Sequence, residues 1–409
     1  MTADDSKSRK LKPILIVSHG YLPEFGGMEQ FAGRLSVALH QAGHEVEVVT
    51  TPRIYNGVNL QKSLIRPLRS MEYGFPVYSL GHFRKFWQIR GVGCFAAGSY
   101  FLSLLLFVIR NRKRFRGIIV FAILRDFAWL CFLKKFIPSL PIVGVESSCG
   151  PLLEYRTVRK NIFGALYQRF IYSSKAKIVA FGEAILNDYR GLKFDEKRLI
   201  VIPNGITNFG KIHPYNPHAK QIVDVGRLSR EKGFDILVDA FSLLKNKDVN
   251  LVIRGTGIEK EKLELQVSNY NISNRVVFHS SSSKETIADV FKDALLGVVA
   301  SRVEGMSSVQ LEAMSLGIPM VVTDVGCNAE VFNLTGGTYG PDGFAVSEFG
   351  VLVPSENAGA LSRAIDYLIN NEEKRVSISQ NVQIRFGKRF DISCVANEYS
   401  RLFNGPVSF

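Results

Sequence analysis

Residues 297–323 read GVVASRVEGMSSVQLEAMSLGIPMVVT. Two apolar runs, 297–300 and 319–323, flank a small polar turn and a short helical stretch. Strand, turn, helix and strand in one such span form the pattern of a βαβ unit, so the chain is expected to be α/β. The turn holds two carboxylates, Glu304 and Glu312, around Gly305, Met306, Ser307, Ser308 and Val309. A helix N-terminus has unpaired N–H groups and partial positive charge, which suits a phosphate. Gly305 and the serines let backbone approach an anion closely. Glu312, about one turn into the helix, is placed to accept hydrogen bonds from hydroxyls beside that phosphate, such as those of a ribose. Glu304 would face the group beyond it. The pattern fits a nucleotide diphosphate carrying a hydroxyl-rich cargo. Taken alone, it fits a surface turn with two solvated glutamates equally well.

Outward from this unit the alternation continues. In the second half, strands read at 221–225, 250–254 and 276–279, and Ile236, Leu237, Ala240, Phe241 and Leu244 recur at helical spacing. Ile287, Val290, Phe291, Ala294 and Leu295 read as another helical stripe. In the first half, 13–18 is an apolar strand, followed by the loop HGYLPEFGGMEQ, a helix carrying Phe31, Leu35, Ala38, Leu39 and Ala42, and a strand at 44–50. Further strands read at 118–124, 142–146, 177–181 and 199–202, whereas 53–90 resists assignment. The turn Pro203-Asn204-Gly205 separates the halves. The expectation is two facing Rossmann-like domains, residues 1–205 and 206–385. A closing helix is expected within 386–409, spanning 390–403 with an Asp near its start. Ligands of open α/β sheets bind at the carboxyl ends of the strands, so the site belongs in the cleft between the domains.

The loop Gly226-Arg227-Leu228-Ser229-Arg230-Glu231-Lys232-Gly233 lies between a strand and a helix. Arg227 and Lys232, five apart, can both point into that cleft. Arg grips phosphate oxygens bidentately, and Lys supplies a point charge where a leaving phosphate gains charge. A solvated cluster at a helix start has the same composition. The 409 residues carry a net charge of +14, which favours anionic partners: nucleotide sugars, phospholipid surfaces or, last, nucleic acid, for which no motif is present. Five scattered cysteines without a Cys-x-x-Cys pair point to a reducing compartment, and seven unclustered histidines point away from a protein-held metal. The first dozen residues are polar, and the apolar run after them is too short for a signal-peptide core. The stretch 91–109 is uncharged and lies between Arg90 and Arg110. It is near the lower limit for a membrane span. A buried helix of the first domain is the favoured reading; an apolar helix with basic flanks resting on a bilayer surface is the intermediate one.

The series GRLSREKG, RGTG, EGMSSVQLEAMSLGIPMVVTDVG, CNAEV and GVLVP, with Gly26-Gly27-x-Glu29 and Pro203-Asn204-Gly205, resembles the retaining glycosyltransferases of family four. The resemblance covers nearly the whole chain, is most specific over 221–330 and is weaker from 51 to 200. It implies the GT-B architecture, a nucleotide-sugar donor and a last helix that crosses back to the first domain. It implies that Arg227 and Lys232 bind the diphosphate, and that Glu304 lies by the donor sugar and Glu312 by the ribose. The amides around Ser307 to Val309 would meet the phosphates, and Gly26 and Gly27 would let the first domain's loop approach the donor. No Asp-x-Asp occurs, consistent with a family that needs no metal. Two departures stand out. Glu146 occupies a position where many members carry His, so it is a candidate sugar or acceptor contact, or else a strand-end glutamate facing solvent. The stretch 332–349 is longer than the usual turn and reads as a loop elaboration.

These expectations describe a cytoplasmic transferase, peripheral to the membrane's inner face, acting on a glycan or lipid-linked glycan without cofactor or metal. Two rivals remain: a sugar-nucleotide epimerase on the same fold, and a non-catalytic, membrane-docked binding protein.

Overall fold

The computed structural model describes residues 11–22, 27–51, 54–55, 58–59, 68–80, 92–121, 126–150, 153–157, 164–209, 214–280 and 286–403. Gly26 therefore lies outside the described residues.

The first domain is built on strands β1 (Ile14–Ser18), β2 (Val46–Thr50), β5 (Leu68–Glu72), β6 (Phe75–Ser79), β7 (Gly117–Phe121), β8 (Ile142–Glu146), β9 (Lys177–Ala180) and β10 (Leu199–Val201); β3 (Ile54–Tyr55) and β4 (Val58–Asn59) pair separately. The eight-stranded sheet has the order β10-β9-β8-β7-β1-β2-β6-β5 and is parallel except for the β5–β6 hairpin at its edge. Parallel strands covered on both faces read as unbroken apolar runs, and Ile14 to Val17 are fully buried. Helices α1 (Gly27–Gln41), α2 (Val92–Asn111), α3 (Ala128–Leu133), α4 (Glu154–Thr157), α5 (Gly164–Ser173) and α6 (Glu183–Gly191) make the connections. Right-handed crossovers that step from β6 to β7, β8 and β9 put α2, α3 and α5 side by side on one face. The opposite step, β1 to β2, puts α1 on the other face.

The second sheet comprises β11 (Gln221–Val225), β12 (Asn250–Arg254), β13 (Val276–His279), β14 (Ala294–Val299), β15 (Met320–Thr323), β16 (Ala345–Val346) and β17 (Val351–Val353), in the order β13-β12-β11-β14-β15-β17-β16. Around it lie α7 (Phe234–Ser242), α8 (Lys260–Asn269), α9 (Ile287–Phe291), α10 (Ser308–Ser315), α11 (Asn328–Val331), α12 (Ala358–Asn370) and α13 (Glu372–Arg389). The last helix, α14 (Ile392–Arg401), begins at Asp391, whose side chain accepts from the Ser393 amide at 2.8 Å. It packs on α1 of the first domain, where the Phe31 and Tyr399 rings lie 6.2 Å apart, and Asp391 bridges to Ile206.

Two sequence readings change. Ala294 and Leu295 belong to β14 rather than to a helical stripe: α9 stops at Phe291, and Ala294 pairs with Gln221. The stretch 332–349 is more than a loop, because β16 pairs antiparallel with β17 and extends the sheet. The apolar stretch 91–109 keeps its favoured reading: in its described part it is a core helix, with Tyr100, Leu104, Phe107 and Val108 buried. No helix among the described residues is long and apolar enough to cross a membrane.

Candidate active site

In the second sheet the strand order reverses between β11 and β14, the position where open α/β sheets form a crevice at their carboxyl ends. The loop after β11 carries Arg227 and Lys232, and the loop after β14 carries Glu304. The topology thus brings together residues more than seventy positions apart. Lys232 Nζ lies 2.5 Å from Glu304 Oε1, and Ser301 Oγ donates to the same oxygen at 2.9 Å. Arg227, on the same loop as Lys232, is exposed. Gly233, which ends the loop, has φ +68°, and a Cβ there would sit 2.0 Å from the Ala300 carbonyl oxygen. Only glycine allows β14 to lie against this turn.

Arg302 pins the two loops together. Its guanidinium donates to both Asp235 oxygens at 2.7 Å, to Glu356 at 2.9 Å and to the Arg230 carbonyl at 2.8 Å. Beneath Lys232, at the end of β11, Asp224 is buried. Burial lifts its carboxyl well above the usual range, against the pull of the Lys232 ammonium.

Ser307 caps α10, with its side chain accepting from the Gln310 amide at 3.5 Å, and the helix starts at Ser308 and Val309. Met306 is buried beneath the turn. Ser308 Oγ accepts from Asn204 Nδ2 of the domain boundary at 3.1 Å. Glu312 follows on the same helix and is half-buried. Burial lifts its carboxyl to about 7, opposed by the charge of Arg34 on α1, across the cleft. The Arg34 Nε and Nη2 atoms are buried without a hydrogen-bond partner among the described residues.

The first domain meets this site through the turn after β8. The Ser147 carbonyl presses on Gly305, where a Cβ would lie 1.6 Å from its oxygen. Cys149 Sγ donates to the Glu304 carbonyl at 2.7 Å. Glu146 is fully buried under this turn rather than facing solvent. Its oxygens accept from the Ser148 amide at 3.0 Å and from the Tyr189 hydroxyl at 2.9 Å, and burial, then the charge of Glu154, lifts its carboxyl well above the usual range. Glu146 therefore shapes the turn from below, and both its oxygens are already engaged. A second clasp joins Glu330 of α11 to the start of α6, accepting from the Glu183 and Ala184 amides at 2.8 Å. Gly27 opens α1, and a Cβ there would meet nothing within 4 Å.

The site thus gathers Arg227, Lys232, Glu304, the start of α10 and Glu312 along one crevice. Asp224 and Arg34 border it without being singled out by the sequence, and Asn204 and Glu330, quoted there only within Pro203-Asn204-Gly205 and CNAEV, bond to Ser308 and to the start of α6. Their partners lie in the other loop or the other domain; the only cue was Arg34, a cation within the apolar face of α1.

The chain matches two family models. "Glycosyl transferase 4-like domain" matches residues 26–205, and "Glycosyl transferases group 1" matches residues 206–385. An uncharacterized glycosyltransferase of Methanocaldococcus jannaschii is 30% identical over 237 residues, which span 57% of this chain and 60% of that protein. The Campylobacter jejuni N-acetylgalactosamine-N,N'-diacetylbacillosaminyl-diphospho-undecaprenol 4-alpha-N-acetylgalactosaminyltransferase is 23% identical over 313 residues, 73% of this chain and 80% of that protein. Among solved structures, Anabaena HepE in complex with UDP superposes with a TM-score of 0.70 at 17% identity, covering 96% of this chain and 99% of that one.

Proposed function

The chain belongs to the group 1 glycosyl transferases with the GT-B fold, and from that footing we propose that it moves a sugar, with retention, from a nucleotide-diphosphate donor to an acceptor hydroxyl. The observation that carries the proposal is the Lys232–Glu304 pair at the switch point, formed between the loop that carries Arg227 and the turn that leads into α10. Cleaving a sugar–diphosphate bond puts negative charge on the departing phosphate. Arg227, Lys232 and the first amides of α10 are fixed positive groups aimed where that charge develops. They supply the neutralisation that a metal would otherwise give. Glu312 accepts from the ribose hydroxyls. Glu304, held by Lys232 and Ser301, faces the sugar. The leaving phosphate oxygen takes the acceptor's proton on the same face, so no separate base is needed.

The acceptor in this proposal is a glycan, including one carried on a membrane lipid, in a cell-surface polysaccharide pathway. The Campylobacter relative, named for transfer to a sugar on diphospho-undecaprenol, supports that class. The reaction is placed in the cytoplasm; the buried thiols of Cys131 and Cys327, used as apolar side chains, support a reducing compartment.

The test is a panel of nucleotide sugars, with nucleotide release and product measured with and without chelator. Lys232→Ala should lower turnover roughly a hundredfold, the cost typical of one lost charge-stabilising contact. Conversion of the donor without any acceptor would show an epimerase instead. Nucleotide binding without turnover on any donor would show a binding protein.

A further inference from the structure

Charge is divided unevenly along the chain. Residues 1–205 hold 30 Lys and Arg against 14 Asp and Glu, whereas residues 206–409 hold 21 against 23, so the net charge of +14 arises in the first domain. Part of this excess is gathered at one edge. Helices α2, α3 and α5 each end where the next strand starts, and those ends carry exposed Arg112 and Lys113, Lys135, and Lys175 respectively. The stretches 98–121, 127–145 and 164–182 that build this face contain no Asp or Glu. Between the cations stand apolar side chains: Ile109 is 38% exposed, Phe136 68% and Tyr172 50%.

A cavity of about 280 Å³ opens between the ends of α3 and α5, lined by Lys134, Lys135, Lys175, Ser173, Ser174 and Pro138, with Cys131 at its side. Lys134 is buried and donates to the Pro138 and Leu140 carbonyls at 2.7 and 2.8 Å. Burial, and then the like charge of Lys175, lowers its pKa. Among the described residues lining the cavity there is no carboxylate, so an anion entering it would be attracted by the clustered lysines. Cations alone would suit any polyanion. Exposed aromatic and aliphatic tips set among them suit a bilayer, where apolar groups enter the acyl boundary while cations meet phosphates.

We propose that the edge formed by the ends of α2, α3 and α5 docks on an anionic lipid surface, and that the cavity beside Lys134, Lys135 and Lys175 seats a headgroup phosphate. The proposal deepens the reading of a lipid-linked acceptor and moves the contact from one apolar helix to three helix ends. Its test is co-sedimentation with phosphatidylcholine vesicles, with and without phosphatidylglycerol, at low and high salt. Binding is expected only with phosphatidylglycerol and is reversed by salt. Lys135→Gln and Lys175→Gln should each weaken it roughly fivefold, and Phe136→Ser should weaken it at every salt concentration. These exposed side chains lie far from the crevice, so nucleotide binding should stay at the parent level in all three variants. That readout also reports folding, and it separates failure here from failure of the transferase reading. Equal binding to neutral vesicles, or unchanged binding in the variants, would overturn the proposal. So would a preference for a nucleic-acid duplex over vesicles.

Discussion

Glu312 shows how one side chain serves two opposed demands. Its carboxyl titrates near 7 in the folded protein, against an ordinary value of 4.5. Between those values the folded chain keeps a proton that the unfolded chain has released. The neutral carboxyl therefore costs nothing below pH 4.5, and stability falls as pH rises through 7. The full loss is roughly 3 kcal/mol. Glu312→Gln should raise Tm at pH ~8 and leave it unchanged at pH ~4, because only the higher pH ionises the parent's carboxyl. The same change should weaken nucleotide binding by about 1–3 kcal/mol at the higher pH, through loss of a charged hydrogen bond. Equal Tm gains at both pH values would contradict the burial argument. Arg34, which opposes the shift from the other domain, acts on this titration as well.

Between elements, the contact across the cleft is made by helix ends and turns. The start of α6 has Gly182 at its cap position, with no side chain to accept from its first amides, and Glu330 of α11 takes that part from the other domain. Glu330→Ala should remove about 1 kcal/mol of capping, all of it charged to the approach of the two domains. Hydrogen exchange at the Glu183 and Ala184 amides should rise roughly fivefold in consequence. Protection unchanged at those amides would show that the cap contributes nothing. Such contacts explain what the sequence could reveal. Arg227 and Lys232 stand in the loop after β11, and Glu304 and Glu312 in the loop and helix after β14, each within a short strand–loop–helix pattern, so residue type and spacing expose them. Glu330 and Glu146 take their partners from sites fixed only when sheets and domains assemble. The run 294–299 is apolar throughout, and such a run fits strand or helix equally; its pairing with β11 decides. The β5–β6 hairpin turns through Tyr73, with φ 53°, and Gly74, with φ 90°, and a tyrosine gives little notice of a left-handed turn.

Over the whole molecule, the chain ends by returning to its beginning. Tyr399 on α14 is fully buried against α1, so the last residues of the second half complete the core of the first. Tyr399→Ala should cost about 3–5 kcal/mol, the range for a large aromatic removed from a core. Calorimetry should place that loss in the unfolding of the first domain. A loss confined to the second domain would show that α14 is only an appendage there.

The basic edge of the first domain lies where its parallel strands start, and the crevice lies where strands end. A five-residue strand spans about 17 Å, so a protein resting on that edge holds its crevice at least that far above the bilayer. The scaffold then acts as a ruler. In the proposed docked arrangement, a sugar attached directly to a lipid headgroup would fall short of the reacting atoms and a glycan grown outward by several units would reach them, so the height of the domain would select acceptors by length.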